Sequence, residues 1–269
     1  MNASGSNEQA NGGSHLAGRC FQALRSSFML VVSMVYWAVG GLLFVLAGLL
    51  LVPVLPGERS RALGQWLLQG SFRFFVLLLR ISGCLRVEYH GLEALKSAQG
   101  GLIVAPNHPA LWDAVLVISR VRGLRCILKA SLMHNPFLAG GATLAGFIPN
   151  KPVQKMLQRS IEALRAGDRL LYFPEGTRTR KSDGPVNAFQ GGIGIIATQS
   201  GAPVWPVFIE TDSDYLSKGW PLWRLLDKPV RARIRVGEPL ASPPDESAAE
   251  FAKRLQETFE AKLGGKGTS

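Results

Sequence analysis

The chain has 269 residues, 47% of them hydrophobic, and a formal charge of +11 at neutral pH. That length and apolar content suffice for one fully buried core and do not require a second globular domain. The charge points to an anionic partner (nucleic acid, an acidic protein or a lipid surface), while three separated cysteines without a CxxC and four scattered histidines argue against a disulfide framework or a zinc site.

Residues 1–25 open as MNASGSNEQANGGSHLAG, almost without apolar side chains, and are expected to be a disordered tail. Residues 26–83 read as a membrane-associated helical region. Between Ser26 and Gly57 there is no charged residue, and FMLVVSMVYWAVGGLLFVLAGLLLV exceeds the ~20 residues that cross a bilayer. No face of this helix is polar, and its apolar run is too long for a cleaved signal peptide. Gly40-Gly41 allows a bend or close helix packing. The stretch Trp66–Gly83, interrupted by Arg73 and Arg80, suits a helix in the lipid interface with arginines reaching for phosphates. Arginines 59, 61, 73, 80 and 86 follow the first segment, so the positive-inside rule places the rest of the chain in the cytoplasm, on the inner or plasma membrane.

Residues 84–269 alternate strands and helices. LRVEYHG (85–91), GLIVAP (101–106), LRCILKA (124–130), DRLLYFP (168–174), APVWPVFIE (202–210) and VRARIRVGEPL (230–240) read as strands. A helix starts within ALWDAVLVISRV. VQKMLQRSIEALRAG is amphipathic, with Val153, Met156, Leu157, Ile161 and Leu164 on one face and Gly167 as its C-cap. GGIGIIATQSG reads as a short helix. A last helix is expected to start at a capping box formed by Ser242 and Asp245, with Phe251, Leu255 and Phe259 lining one face. The pattern implies an α/β fold, a central mixed sheet flanked by helices behind an N-terminal membrane-associated segment.

Two stretches carry chemistry. In NHPALWD, Asn107 to Asp113, a continuous helix would put His108 and Asp113 on different faces. With Pro109 at the first helical position, His108 becomes the N-cap and its ring can fold over the first turn to meet Asp113. A carboxylate on one ring nitrogen fixes the tautomer and raises the basicity of the other, giving a general base, and the helix start can help hold an oxyanion. Read alone, the spacing fits a surface histidine as well. The second stretch, DRLLYFPEGTRTR, runs from an apolar strand into a turn with Glu175, Gly176, Thr177 and Arg178. Backbone N–H groups, a hydroxyl and a guanidinium fork suit a phosphate monoester. A charged surface turn is the structural alternative.

Together, NHPALWD and FPEGTRTR resemble the first and third motifs of the glycerolipid (1-acylglycerol-3-phosphate / lysophospholipid) acyltransferase family, and APVWPVF is similar to its fourth. The resemblance covers roughly residues 85–240. It implies an acyltransferase domain over 84–269 in which His108 deprotonates an acceptor hydroxyl and Asp113 orients His108. It further implies that Asn107, Lys151, Glu175, Gly176, Thr177 and Arg178 form the substrate site. The implied donor is an acyl-CoA or acyl carrier protein thioester, without metal or nucleotide cofactor, and the partners are membrane lipids rather than nucleic acid. The expected product is phosphatidic acid. This chain departs from the pattern at Ala110, at Gln190, and in GFIPNKP, where Lys151 stands close to a missing arginine. Acceptors other than lysophosphatidate, such as a lyso-aminolipid or a specialised lipid, therefore stay open. So do thioester hydrolysis and a non-catalytic membrane-binding or nucleic-acid-binding protein.

Overall fold

The computed structural model describes residues 5–55, 57–180, 182, 184–226 and 228–265, with the side chains of residues 5–21 and of Pro136 outside that set. The expected disordered tail falls largely there. Residues 1–4 lie outside the described residues, and residues 5–21 belong to the first helix by backbone only.

Two apolar helices, α1 (Gly5–Leu51) and α2 (Gly57–Ile81), open the chain, and each is long and apolar enough to cross a membrane by length and composition. They pair antiparallel. The Tyr36 ring stacks on Phe75 at 4.6 Å, and its hydroxyl lies 2.6 Å from Ser71 Oγ. Along α1, Leu24, Phe28, Val31, Val35, Val39, Leu42, Leu46 and Leu49 are all exposed. Their steps of three and four residues make one uninterrupted apolar stripe, about 38 Å long.

The helix α2 departs from the sequence reading. It starts at Gly57, and Leu68, Phe72, Phe75, Val76 and Leu79 are buried against the α/β domain. Only its other side, with Trp66, Phe74, Leu77, Ile81 and the two arginines, is exposed.

The domain then runs β1 (Leu85–His90), α3 (Leu92–Ser97), β2 (Leu102–Pro106), α4 (Asp113–Ile118), β3 (Leu124–Leu128), a short 3-10 turn (Ala130–His134), α5 (Pro136–Leu144), β4 (Ile148–Pro149), α6 (Val153–Arg165), β5 (Arg169–Leu171), α7 (Gly192–Ser200), β6 (Val204–Thr211), β7 (Val230–Val236) and α8 (Ala248–Gly264). The seven strands stand in the order β1-β7-β6-β2-β5-β3-β4, and only β6 with β7 is antiparallel. The mixed α/β sheet is as read from the sequence. Central β2 is buried at every position, which a parallel strand covered on both faces requires. One face packs on α2 and α4, the other on α6, α7 and α8.

Three local expectations change. Residues 109–112 form bends and a turn, so α4 begins at Asp113 rather than at Pro109, and the oxyanion assistance expected from a helix start at His108 is not built that way. The α8 cap is Ser247 with Glu250, whose carboxylate accepts from Ser247 N at 2.9 Å; Ser242 and Asp245 lie before it. On α6, Val153 is 55% exposed while Met156, Ile161 and Leu164 are buried, and the C-cap is Ala166 with Gly167 following at φ 90°.

The helix α5 has no counterpart in the sequence reading, and it clamps the hairpin. A Cβ on Gly140 would sit 2.6 Å from Val45 N, and one on Gly64 would sit 2.6 Å from the Leu144 carbonyl carbon. Glycine therefore sets how closely α5 meets α1 and α2, and Gly41 of the expected close-packing pair meets Phe137 in the same way. Near the start of α2, Arg61 lies 3.4 Å from Asp168 Oδ1, whose Oδ2 holds Arg125 at 2.8 Å.

Candidate active site

Parallel strands aim their carboxyl ends at one edge of the sheet, where open α/β folds place their ligands. Strand β2 ends there in Asn107 and His108, and β5 leads there to Glu175 through Phe173 and Pro174.

His108 Nδ1 lies 2.8 Å from Asp113 Oδ2, and the same oxygen accepts from Ala110 N at 2.7 Å. The sequence places this pair in contact, but the turn over residues 109–112 brings them together, not a helix beginning at Pro109. Asp113 is sealed, its side chain 2% exposed, whereas that of His108 is 18% exposed. Since the carboxylate accepts at Nδ1, Nε2 is left as the basic nitrogen. The imidazole also lies against Phe173, ring centres 4.2 Å apart, which fixes its plane. Burial pushes the Asp113 carboxyl above its ordinary range, while the hydrogen bond and charge of His108, Ala110 N–H and Arg178 pull the other way.

Glu175 holds the two motifs together. Its Oε1 accepts from His108 N and from Thr179 Oγ1, each at 2.8 Å, and its Oε2 accepts from Asn187 N at 2.9 Å. Thr179 N in turn donates to the His108 carbonyl at 2.7 Å. Both carboxylate oxygens are thus engaged by the protein, and burial raises this carboxyl too, against those three donors. The sequence reading set Glu175 on substrate; the geometry gives it a positioning part. Asn107 is similar. Its buried carboxamide donates to Ile209 O at 2.9 Å and accepts from Ile209 N at 2.7 Å, an extra rung between β2 and β6.

Gly176 and Thr177 are exposed at the turn itself. Gly176 has φ 64°, and a Cβ there would strike the Gln190 carboxamide, so only glycine fits without displacing it. Arg178 Nη1 donates to Leu216 O at 2.8 Å and Ser217 O at 2.9 Å, in the loop between β6 and β7. Beside His108 a cleft of about 740 Å³ opens toward β6 and β7. Its lining includes Pro109, Thr179, Glu210, Asp212, Asp214 and Arg231, so acids accompany the cations.

Residues 86–210 match the Acyltransferase family. The chain is 27% identical over 206 residues to a 1-acyl-sn-glycerol-3-phosphate acyltransferase of Pseudomonas aeruginosa, covering 74% of this chain and 76% of that one. It is 28% identical over 127 residues to the chloroplastic 1-acyl-sn-glycerol-3-phosphate acyltransferase BAT2 of Brassica napus, covering 45% of this chain and only 36% of that one. Over residues 86–210 the chain is thus similar to the glycerolipid acyltransferases. It is an O-acyltransferase by class. Its fold agrees with the crystal structure of the 1-acyl-sn-glycerophosphate (LPA) acyltransferase from Thermotoga maritima, at a TM-score of 0.70 and 21% identity over 93% of this chain and 99% of that one.

Within this family frame, Lys151 stands apart from the rest of the predicted set. It follows β4, three strand spacings from β2, roughly 14 Å across the sheet. Asn150, its neighbour, is held by Ala130 N at 2.9 Å. Of the two strands between β2 and β4, β3 leads into exposed Lys129, a nearer cation on the same edge. Sequence reasoning passed over Lys129, Thr179, Asn187 and Leu216. Lys129 had a usable signal, a charge directly after an apolar strand. The other three act through backbone geometry that no spacing announces.

Proposed function

We propose that this protein is a membrane-bound acyltransferase that moves a fatty acyl group from acyl-CoA or acyl carrier protein to the hydroxyl of 1-acyl-sn-glycerol-3-phosphate, giving phosphatidic acid. The observation that carries the reading is the His108–Asp113 contact of 2.8 Å, with the His108 backbone fixed to Glu175 of the second motif. His108 Nε2 takes the proton of the acceptor hydroxyl as its oxygen attacks the thioester carbonyl. An ester C–O bond forms, the C–S bond breaks, and the departing thiolate takes the proton back from Nε2. Asp113 stabilises the imidazolium between these steps. No acyl-enzyme is required. Arg178 at the turn, with Lys129 and Lys151 along the strand ends, provides the positive charge for the acceptor phosphate and the anionic donor, and the Thr177 hydroxyl adds a hydrogen-bond donor. The acceptor name comes from the Pseudomonas and Brassica relatives.

Membrane residence rests on the apolar stripe of α1. The hairpin is held by the domain near both ends, at Ser26 through its 2.8 Å bond to Leu226 O and at Arg61 through Asp168. A helix so clamped lies along the bilayer surface, its stripe in the acyl boundary and Arg73 and Arg80 at headgroup level. We place the catalytic domain on the cytoplasmic side of the inner or plasma membrane.

Transfer to a lyso-aminolipid is favoured by one observation, the acids Glu210, Asp212 and Asp214 in the cleft beside His108. Such a lining suits a zwitterionic headgroup.

The test supplies labelled acyl-CoA or acyl carrier protein thioester with lysophosphatidic acid, beside His108→Ala. Phosphatidic acid formed at a rate that the variant lowers about 10²–10⁴-fold is the expected result. A folded, vesicle-bound wild type that makes none with either donor rejects this acceptor.

A further inference from the structure

The 18-residue connection from Asp212 to Pro229 is long for two antiparallel neighbours. Its tip is apolar and open: Trp223 is 79% exposed and Leu222 50%. Such a pair is out of place on a surface facing water, and Lys218 and Arg224 flank it. Its base is anchored to the hairpin. Leu226 is buried beside Met29, Ser33 and Leu79, and its carbonyl accepts from Ser26 Oγ at 2.8 Å. Three residues reach at most about 11 Å, so Trp223 stands at the end of the hairpin where the α1 stripe begins. Arg25 and Arg80 lie at the same end of the hairpin.

The loop also touches both motifs. Leu216, at φ 60°, gives its carbonyl to Arg178 Nη1 and to Leu111 N, the latter at 3.1 Å. A non-glycine residue held in this conformation marks a position fixed by its surroundings. Tyr215 packs edge-on against Trp112, the neighbour of Asp113, at 5.3 Å, and Trp112 meets Phe75 of α2 at 5.8 Å. From the other side, Tyr215 meets Trp220 at 5.6 Å, and Arg224 lies 4.3 Å over the Trp220 ring.

We propose that this loop is a second lipid-contact element. Trp223 and Leu222 seat in the headgroup layer of an anionic bilayer, at the end of the hairpin where the α1 stripe begins, and Leu216 and Tyr215 relay the seat to Arg178 and Trp112. Tryptophan suits that depth because its ring is apolar and its N–H is wet, and the flanking cations complement anionic headgroups. The inference rests on the membrane reading above. Trp223 is thus a positioning residue, acting on transfer through the loop.

The experiment uses the full chain and phosphatidylcholine–phosphatidylglycerol vesicles with brominated acyl chains. Quenching of tryptophan fluorescence is compared between wild type and Trp223→Phe, and rates are measured for vesicle-embedded lysophosphatidic acid and for a monomeric short-chain acceptor. The expected result is a quenched component that disappears in Trp223→Phe. In addition, Trp223→Ala slows transfer on vesicles about tenfold, the factor that roughly 1.4 kcal/mol represents. The short-chain acceptor is unaffected, and Trp223→Phe keeps most of the vesicle rate. Wild type bound to vesicles with the same quenching as Trp223→Phe overturns the loop contact alone, as does an equal loss on the short-chain acceptor. Wild type that does not bind vesicles overturns the membrane reading and this inference with it.

Discussion

At the residue scale the site combines a reactive imidazole with two buried carboxylates that hold it. The consequence for stability can be worked out at Asp113, whose carboxyl burial raises. Between the ordinary and the raised value the folded chain binds more protons than the unfolded one. This group's contribution is therefore full below the ordinary carboxylate range and is lost as pH rises through the raised one. At neutral pH the sealed charge opposes folding. Asp113→Asn keeps an acceptor oxygen for His108 Nδ1 and Ala110 N and removes the charge. The variant should melt no lower than wild type at neutral pH, with the difference closing in acid, while acyl transfer falls about 10²–10⁴-fold. Thermal melts across pH beside a transfer assay measure both, and a clear drop in melting temperature at neutral pH would show the pair to be stabilising after all. The contact was legible in the sequence because its partners are five residues apart. The parts played by Asn107 and Glu175 were not, since their bonds reach Ile209 and Asn187 across the fold, and a polar residue beside a motif reads as substrate-facing until its partner is seen.

Among the elements, those with strong patterns stood out in the sequence: buried β2, alternating β7, and α8 with Phe251, Leu255 and Phe259 on one face. Starts were less legible. Two serines precede α8 with an acid three residues on, and the sequence alone does not say which the chain uses. Ser247→Ala should cost about 1 kcal/mol by chemical denaturation and Ser242→Ala close to nothing. The helix α5 was missed because its PFLAGGATL has no polar face to give it a period. Its glycines are the reason for it. A side chain on Gly140 must push α1 away, so Gly140→Leu should cost about 1–3 kcal/mol through overpacking. A lower denaturation midpoint in detergent micelles, with faster proteolysis at the α1–α2 turn, is the expected outcome. An unchanged midpoint would mean that α1 and α5 are not held against each other.

For the whole molecule, the proposed membrane residence asks how an apolar hairpin and an α/β sheet would share one bilayer. Length alone lets α1 and α2 cross, and the sequence cannot decide, because a spanning helix and one lying on the surface both read as apolar. Tertiary contacts favour the surface arrangement proposed above. Arg61 near the start of α2 pairs with Asp168, and Leu79 near its end is buried with Leu226 and Trp112, so α2 runs the length of the domain. Crossing would carry the Arg61–Asp168–Arg125 cluster into hydrocarbon, where each charge costs several kcal/mol. In the proposed arrangement the hairpin lies flat, and the turn at Val54, 77% exposed, stays on the side of His108. A Val54→Cys variant made with Cys20→Ser, in vesicles whose catalytic domain faces outward, should react with a membrane-impermeant maleimide. The remaining thiols, Cys84 and Cys126, are buried and give little background. Labelling only after the vesicles are opened would put the turn across the bilayer. The Arg61 contact and the flat hairpin would then be wrong together, because no arrangement keeps Arg61 on Asp168 while its helix crosses.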